Sequence, residues 1–475
     1  MVKANFDSTS RASTGPVAIV RGVLPCDCLW CACGCSVGHA TTNESSGAKR
    51  TAPIIIMWPL MLLASPLAAM APVRDLSLPF PRPTPAQALA KLTQAVERQA
   101  DEPDDMIDAY GGRSEWLTSF EAEIAAYLGV ESGLFCPTGV AAQNAAIAVY
   151  SNLPFREYRT QPPPVFLMHE TSHLYLYEER AYSELLGVNA LLAGDAHRVL
   201  AAADLEVHLV RLAAVGSAPS MIIVELPHRV LGCATVPWAE LLEMRRLADK
   251  YGVPLHLDGA RLWEIAPFYL AESGVSIQQI VALFDSAYVS FYKGLGALTG
   301  AMLLGGADFI TAAKPWRRRL GANPYTVFPY SLSCRDAYRT NAHTFEARWH
   351  RLRGIVPLLA EAARAEGGRL RTVPEVPQCC QVQCCIGLPA SADATVDAAA
   401  MDAARDAVDE QLGVRVYARL VGAVPPQSAN ADVKDELYFE WCLGPAHVDV
   451  ADEVFVEAWT AFFRELGLRR GVVSE

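Results

Sequence analysis

The chain of 475 residues is 52% hydrophobic and 19% charged, with a formal net charge of -12. That composition supplies a large buried core and excludes a mostly disordered chain, and the length suits two or three domains or one large two-part enzyme. An acidic balance without a long Lys/Arg run argues against nucleic acid as a partner; Arg317-Arg318-Arg319 is short and reads as a helix surface or an anion contact.

Residues 1–52 are rich in Ser, Thr, Gly and Cys and show no periodicity. Five of the 13 cysteines fall in CDCLWCACGC, 26–35. Such a run suits a soft metal, but the two-knuckle spacing of a structural zinc site is missing, and no metal is expected. The other cysteines are scattered or adjacent (Cys379-Cys380, Cys384-Cys385), which reads as a reduced, cytoplasmic body. Residues 53–73 carry no charge and are long enough to span a bilayer. Pro53, Pro59, Pro66 and Pro72 would interrupt a helix there. Lys49-Arg50, the apolar run and Ala69-Met70-Ala71 imitate a signal peptide, but one set about fifty residues too far into the chain. Three readings compete: an unstructured extension, an export signal read from an internal start, and upstream sequence behind a wrongly chosen initiator, with Met57 and Met70 as alternative starts. Residues 1–73 are therefore set apart as an extension, and no membrane role is expected of the body.

From 74 the chain reads as globular. PRPTPAQALAKLTQAVERQ, 81–99, opens on prolines and a Thr cap and runs as an amphipathic helix. SEWLTSFEAEIAAYLGV, 114–130, repeats apolar residues at helical spacing until Gly129. SGLFCPTGVAAQNAAIAVY follows as a short strand, a Thr-Gly turn and a small-residue helix. From 165 to 305 strands and helices alternate: PVFLMHE, SMIIVELP, VPLHLDG, SAYVSFY and GAMLLG as strands, WAELLEMRRLADKYG and SIQQIVALF as helices. This order predicts an α/β fold, a mostly parallel sheet with helices on both faces. Beyond 334 the pattern changes. One long helix is expected over 335–368, then strand-like QVQCCIGL, a helix at 395–411, VRVYARL, ELYFEWCL and a final helix at 449–466. The boundaries are drawn at 74–334 for a large domain, with 74–110 as its arm, and 335–475 for a smaller α+β domain.

Ligands of such sheets sit at the carboxyl ends of the strands. Asp258 ends one apolar strand in PLHLDGAR, and Lys293 follows another in VSFYKGLGA. A Lys in an apolar pocket at a strand end can lose its proton and form a Schiff base; alone, it is more often a surface residue at a turn. A carboxylate near it can keep a pyridine nitrogen protonated, the pairing expected for pyridoxal 5'-phosphate; the bland reading of Asp258 is a helix cap. Thr138, Gly139 and Val140 open a helix whose N–H groups can hold a phosphate, although Thr-Gly turns are common. His173 after one strand and His228 after another are acid–base candidates. His169 and His173 can equally cap a strand end.

Together these pieces resemble the threonine aldolase / β-eliminating lyase family of fold type I. The matching stretches are PRPTP (81–85), PTGV (137–140), SHLYLYE (172–178), ELPH (225–228), HLDGAR (256–261) and YKGLGALTG (292–300). The resemblance implies that Lys293 carries pyridoxal 5'-phosphate, Asp258 meets its ring nitrogen and His173 stacks on the ring. Thr138, Gly139 and Val140 would cradle the phosphate, and Arg261 would bind the substrate carboxylate. His228 and His173 would face the β-hydroxyl, and Ser77 is matched to an N-terminal substrate-binding Ser. The reaction implied is cleavage of the Cα–Cβ bond of a β-hydroxy-α-amino acid to glycine and an aldehyde, in a homodimer or homotetramer. Three departures matter. A late carboxylate-binding Arg is replaced in ELYFEWCL by Glu440, leaving Arg229, Arg415 or Arg419 to substitute; the family's SKG is YKG; and the last position of the phosphate turn is Val140. β-Elimination or transamination, with Lys293 as base, keeps the cofactor and changes the outcome. A non-catalytic member of the family is disfavoured by the intact Lys293, Asp258 and Arg261. A dinucleotide enzyme is disfavoured by the lack of G-x-G-x-x-G after the first strand.

Overall fold

The computed structural model describes residues 74–99, 106–107, 109–110, 114–153, 163–387, 397–423 and 436–468. The expectations for residues 1–73, including the cysteine run at 26–35, lie outside these. Seven strands form the main sheet: β1 (Ser132–Cys136), β2 (Val165–His169), β3 (Asn189–Ala193), β4 (Ile222–Glu225), β5 (Leu255–Gly259), β6 (Ser286–Ser290) and β7 (Ala301–Gly305). Their order is β1-β7-β6-β5-β4-β2-β3. Every pairing is parallel except the two made by β7. Four of the central strands, β4 to β7, are buried along their whole length, which explains their continuous apolar runs.

Helices cover both faces. α1 (Pro85–Arg98) begins at a capping box made by Thr84 and Gln87 and packs against the helix Phe328–Asn341; on one face of the sheet α2 (Glu115–Leu128) buries Trp116, Leu117, Phe120 and Ile124 and stops at Gly129 in the left-handed conformation (φ 74°). On the other, α3 (Gly139–Tyr150) packs Ala142, Ala145 and Ala146 against Leu134, Tyr288 and Leu303. Small side chains let α3 lie close to the strands.

The register fixes what α3 faces. Glu225 pairs with Asp258, and Asp258 with Tyr288, so these residues form one row across β4, β5 and β6. His256 pairs with Ser286 one step earlier. Because side chains alternate along a strand, His256 and Asp258 share a face, as do Ser286 and Tyr288.

Among the described residues a second, antiparallel sheet contains β8 (Arg369–Val373), β9 (Gln381–Gly387), β10 (Gly422–Ala423) and β11 (Leu437–Cys442), in the order β10-β11-β9-β8. Its core holds Trp441, Phe439, Phe455 and Trp459. Arg74–Asp75 pairs in parallel with Val414–Arg415, so the chain before α1 joins this side of the molecule. The single helix expected over 335–368 is two: Phe328–Asn341 and Phe345–Ala365, separated by a 3-10 turn at Ala342–Thr344. The Asn341 amide donates to Leu295 O at 2.8 Å, and the Thr344 hydroxyl takes the Asn341 carbonyl at 2.7 Å. Side chains that bond the backbone locally compete with the helix. The second helix enters both cores, through Trp349 in one and Leu352 and Leu359 in the other.

Candidate active site

Asp258 is the second-last residue of β5, 2% exposed. Its Oδ2 accepts from Gln143 Nε2 at 2.5 Å and its Oδ1 from the Ala260 N–H at 3.2 Å. Burial, and then the adjacent Glu225 carboxylate, push its carboxyl up to about 8, against the pull of Lys293. No Lys or Arg is among its hydrogen-bond partners. A carboxylate in that state is short of a cation.

Lys293 is half-buried and lies three residues past β6, in a turn closed by Gly296 N–H to Lys293 O. Gly294 is required beside it, because an added Cβ would lie 2.6 Å from the Glu264 carboxyl. Thr138 caps α3, accepting the Ala141 N–H at 3.2 Å. Gly139 begins the helix, and a Cβ there would stand 2.1 Å from the Tyr288 hydroxyl, so only glycine admits this approach of helix to sheet. Val140 is exposed on the first turn. The start of α3 thus presents N–H groups and positive helix polarity beside Tyr288, one strand over from Asp258.

His173 begins the short helix His173–Leu176 after β2. Its backbone N–H donates to Glu225 Oε2 at 2.9 Å, and its Nδ1 meets Glu178 Oε1 at 3.1 Å. A carboxylate accepts only, so Nδ1 carries the proton; in the neutral ring Nε2 then has the lone pair, the tautomer of a general base. His228 is held differently. Its Nε2 lies 2.9 Å from Thr171 Oγ1 and 3.2 Å from Thr171 O, and its ring stands edge-on to His169 at 4.5 Å. Its Nε2 is committed to Thr171, leaving Nδ1.

Arg261 follows β5 and binds Glu264 through Nη1 at 2.7 Å, while its buried Nε has no partner. Glu440, on β11, takes Arg229 on two oxygens at 3.0 and 3.3 Å, and the Arg229 guanidinium lies over Tyr177 at 5.1 Å. Burial alone would raise the Glu440 carboxyl; Arg229, Arg261 and Arg419 hold it lower. Arg415 is bound to Asp409. Among the cations that the sequence offers in place of the late Arg, Arg229 is bound directly to Glu440, and Arg419 also favours its charged form. Ser77 is buried, and its hydroxyl donates to Asp75 at 2.7 Å.

Four residues of this region escape a sequence reading: Gln143, Glu178, Glu225 and Glu264. Glu225 is buried on the row with Asp258 and accepts the N–H groups of His173 and Arg229. Burial would raise its carboxyl, but His228, His173 and those N–H groups hold it below the ordinary range. Among the described residues no group of His, Cys, Asp and Glu is placed to hold a metal, and no helix is long and apolar enough to cross a membrane.

Comparison with known proteins adds to this geometry. Aldolase vrtJ of Penicillium aethiopicum is 30% identical over 203 residues, 42% of this chain and 48% of that one. The low specificity L-threonine aldolase of Saccharomyces cerevisiae is 29% identical over 218 residues, 45% of this chain and 52% of that one. Alanine racemase TOXG of Cochliobolus carbonum is 32% identical over 223 residues, 47% and 54%. The chain thus spans about half the length of these curated relatives. A solved structure of a candidate L-allo-threonine aldolase from Listeria monocytogenes EGD-E superposes with a TM-score of 0.67 at 29% identity, covering 82% of this chain and 96% of that one. Serine palmitoyltransferase of Sphingomonas wittichii shares the fold, with a TM-score of 0.52 at 18% identity. The sequence profile of the Beta-eliminating lyase family matches residues 88–326, half of the chain, and the protein belongs to that family.

Proposed function

We propose that this protein is a pyridoxal 5'-phosphate-dependent lyase that cleaves the Cα–Cβ bond of a β-hydroxy-α-amino acid. The observation that carries the reading is the buried Asp258 carboxyl, short of a cation, set near Lys293 and one strand from the start of α3. That donor set fits the cofactor: an amine for its aldehyde, a carboxylate for its ring nitrogen, and helix N–H groups for its phosphate. Bound there, the cofactor supplies an electron sink for charge developing at Cα.

The chain's own residues do the rest. Lys293 holds the cofactor covalently, and the first turn of α3 with Thr138 binds the phosphate. Asp258 keeps the ring nitrogen protonated. His173 Nε2 takes the proton of the substrate β-hydroxyl, while Glu178 holds Nδ1–H and stabilises the charge that the ring acquires. Arg261 binds the substrate carboxylate with Arg229 near it, and His228 and Ser77 support the site from its edge. The assembly proposed is a homodimer or homotetramer, read by sedimentation. The eight free, buried thiols of the described residues agree with a cytoplasmic protein.

The test is an absorption spectrum of the full-length protein with pyridoxal 5'-phosphate, then with glycine, L-threonine and L-allo-threonine added in turn. A visible band that glycine shifts, with acetaldehyde released from a threonine, is the expected result; Lys293→Ala removes the band. A band retained by that variant contradicts the lysine assignment. The alanine racemase relative favours a second reading, in which only the Cα proton moves. Deuterium exchange into alanine without carbon–carbon cleavage selects it.

A further inference from the structure

The buried face between α3 and strands β5 and β6 carries a continuous run of side-chain hydrogen bonds. The Tyr150 hydroxyl meets Ser286 Oγ at 2.9 Å, and Ser286 Oγ meets His256 Nδ1 at 2.6 Å. His256 Nε2 meets Gln143 Oε1 at 2.8 Å, and Gln143 Nε2 reaches Asp258 Oδ2 at 2.5 Å. Gln143 and His256 are fully buried, and Ser286 and Asp258 are 2% exposed. The fold makes the run possible. Gly139, Gln143 and Tyr150 lie on one side of α3, and His256, Asp258, Ser286 and Tyr288 line the sheet face beneath it.

Its direction follows from the chemistry of the groups. The Gln143 NH2 donates to Asp258, so its carbonyl turns to His256. The His256 nitrogen facing that carbonyl must carry the proton, so Nδ1 accepts the Ser286 hydroxyl, and Ser286 accepts from Tyr150. Burial holds His256 down to about 3, and burial, outweighing the Ser286 hydrogen bond, pushes Tyr150 up to about 12. Tyr150 and His256 therefore stay neutral across the working range of pH, and the run keeps one direction toward Asp258.

The run ends on the carboxylate of the proposed site. The rest of α3 packs here through alanines, which need no such partners. The charged groups around Asp258 are Glu225 and Glu178, which favour its neutral form, and Lys293, which opposes them. A donor fixed on Oδ2 favours the ionised form and orients it.

We propose that Gln143 is a positioning residue for the cofactor's ring nitrogen: backed by His256 and Ser286, it holds the Asp258 carboxyl in one orientation and favours the charged form that a pyridinium requires. This inference rests on the pyridoxal 5'-phosphate reading. The test measures the affinity of the cofactor-free, full-length protein for pyridoxal 5'-phosphate and for its 1-deaza analogue, in which a C–H replaces the ring nitrogen. Gln143→Met weakens the first by on the order of tenfold, the loss of a hydrogen bond to a charged group, and the second by less than about twofold on the same scale. Ser286→Ala, a milder change, moves the same ratio in the same direction. Gln143→Glu binds the cofactor poorly at neutral pH and recovers as the pH falls, because the introduced carboxyl donates again once protonated. Equal losses for both ligands make the network structural only and overturn the proposal, as does an unchanged affinity in all three variants. Wild-type protein that binds neither ligand overturns the cofactor reading itself, and this inference with it.

Discussion

Asp258→Asn should make the cofactor-free protein relatively more stable as the pH rises. The carboxyl stands at about 8 in the fold against an ordinary value of 3.8. A raised value means that the stability is complete below the unfolded value and is lost as pH climbs through the folded one. The loss therefore runs from about pH 4 to about pH 8. Four pH units at about 1.4 kcal/mol each set a ceiling of about 6 kcal/mol. Relaxation and water penetration reduce such figures in real interiors, and ~1–3 kcal/mol is the working expectation. Asparagine has no such titration. It also turns an amide N–H toward one of the donors now facing Asp258, Gln143 Nε2 or the Ala260 N–H, but that offset does not depend on pH. The slope is the readout. Thermal midpoints of both proteins, without cofactor, would be measured at pH 5, 6.5 and 8. The variant should gain roughly 2–5 °C on the wild type across that range. Added pyridoxal 5'-phosphate should flatten the wild-type slope, because the ring nitrogen supplies the missing cation. A difference that stays constant with pH refutes the argument that Asp258 is held near neutrality by its surroundings.

Two further changes probe the substrate side. His173→Phe keeps a ring over the site and removes Nε2; the visible cofactor band should survive while kcat for carbon–carbon cleavage falls by about 10²–10⁴, and a smaller loss moves the base elsewhere, with His228 Nδ1 next in line. Glu440→Gln relieves Arg229 of a competing carboxylate, so KM for the amino acid should fall several-fold with kcat little changed; a rise in KM shows instead that the pair orients Arg229. The reciprocal Arg229→Leu leaves Glu440 to Arg261 and Arg419 and should cost about 1–3 kcal/mol, less than a buried charge left with no partner.

Much of the site is legible in the sequence, and the reason is local. Asp258 and Lys293 each end an apolar run, and a parallel sheet delivers such ends to one edge. Thr138-Gly139 announces a helix start by composition alone. What the sequence hides is what depends on tertiary register. Gln143 meets Asp258 across 115 positions and Arg229 meets Glu440 across 211, and no periodicity links them. His256 was within reach, since it lies two residues before Asp258 and must share its face, but its role needs Ser286 and Gln143 in place. The helix expected over 335–368 fails at Asn341 for a similar reason: the side chain is drawn to Leu295 O on another element.

The two ends of the proposed site differ in where their residues come from. The cofactor end draws on Thr138, Gly139, Gln143, Asp258 and Lys293, all within the stretch 88–326 that the family profile matches. The substrate end adds Glu440, which lies beyond it and stands where the resemblance expects a cation. Relatives that match over similar lengths bear the names of both aldolases and a racemase. Shared sequence therefore speaks for the cofactor frame more directly than for the bond that is broken. Which bond breaks depends on how the amino acid is held, and in the proposed site that falls to Arg261, Arg229 and Glu440. On this argument the informative variable is the substrate: a panel of β-hydroxy amino acids and of plain α-amino acids, run on wild type and Glu440→Gln, separates cleavage from proton transfer. If the Gln variant shifts KM alike for every member of the panel, Glu440 acts on the shared carboxylate. A shift confined to one side-chain class makes it a reader of that side chain instead.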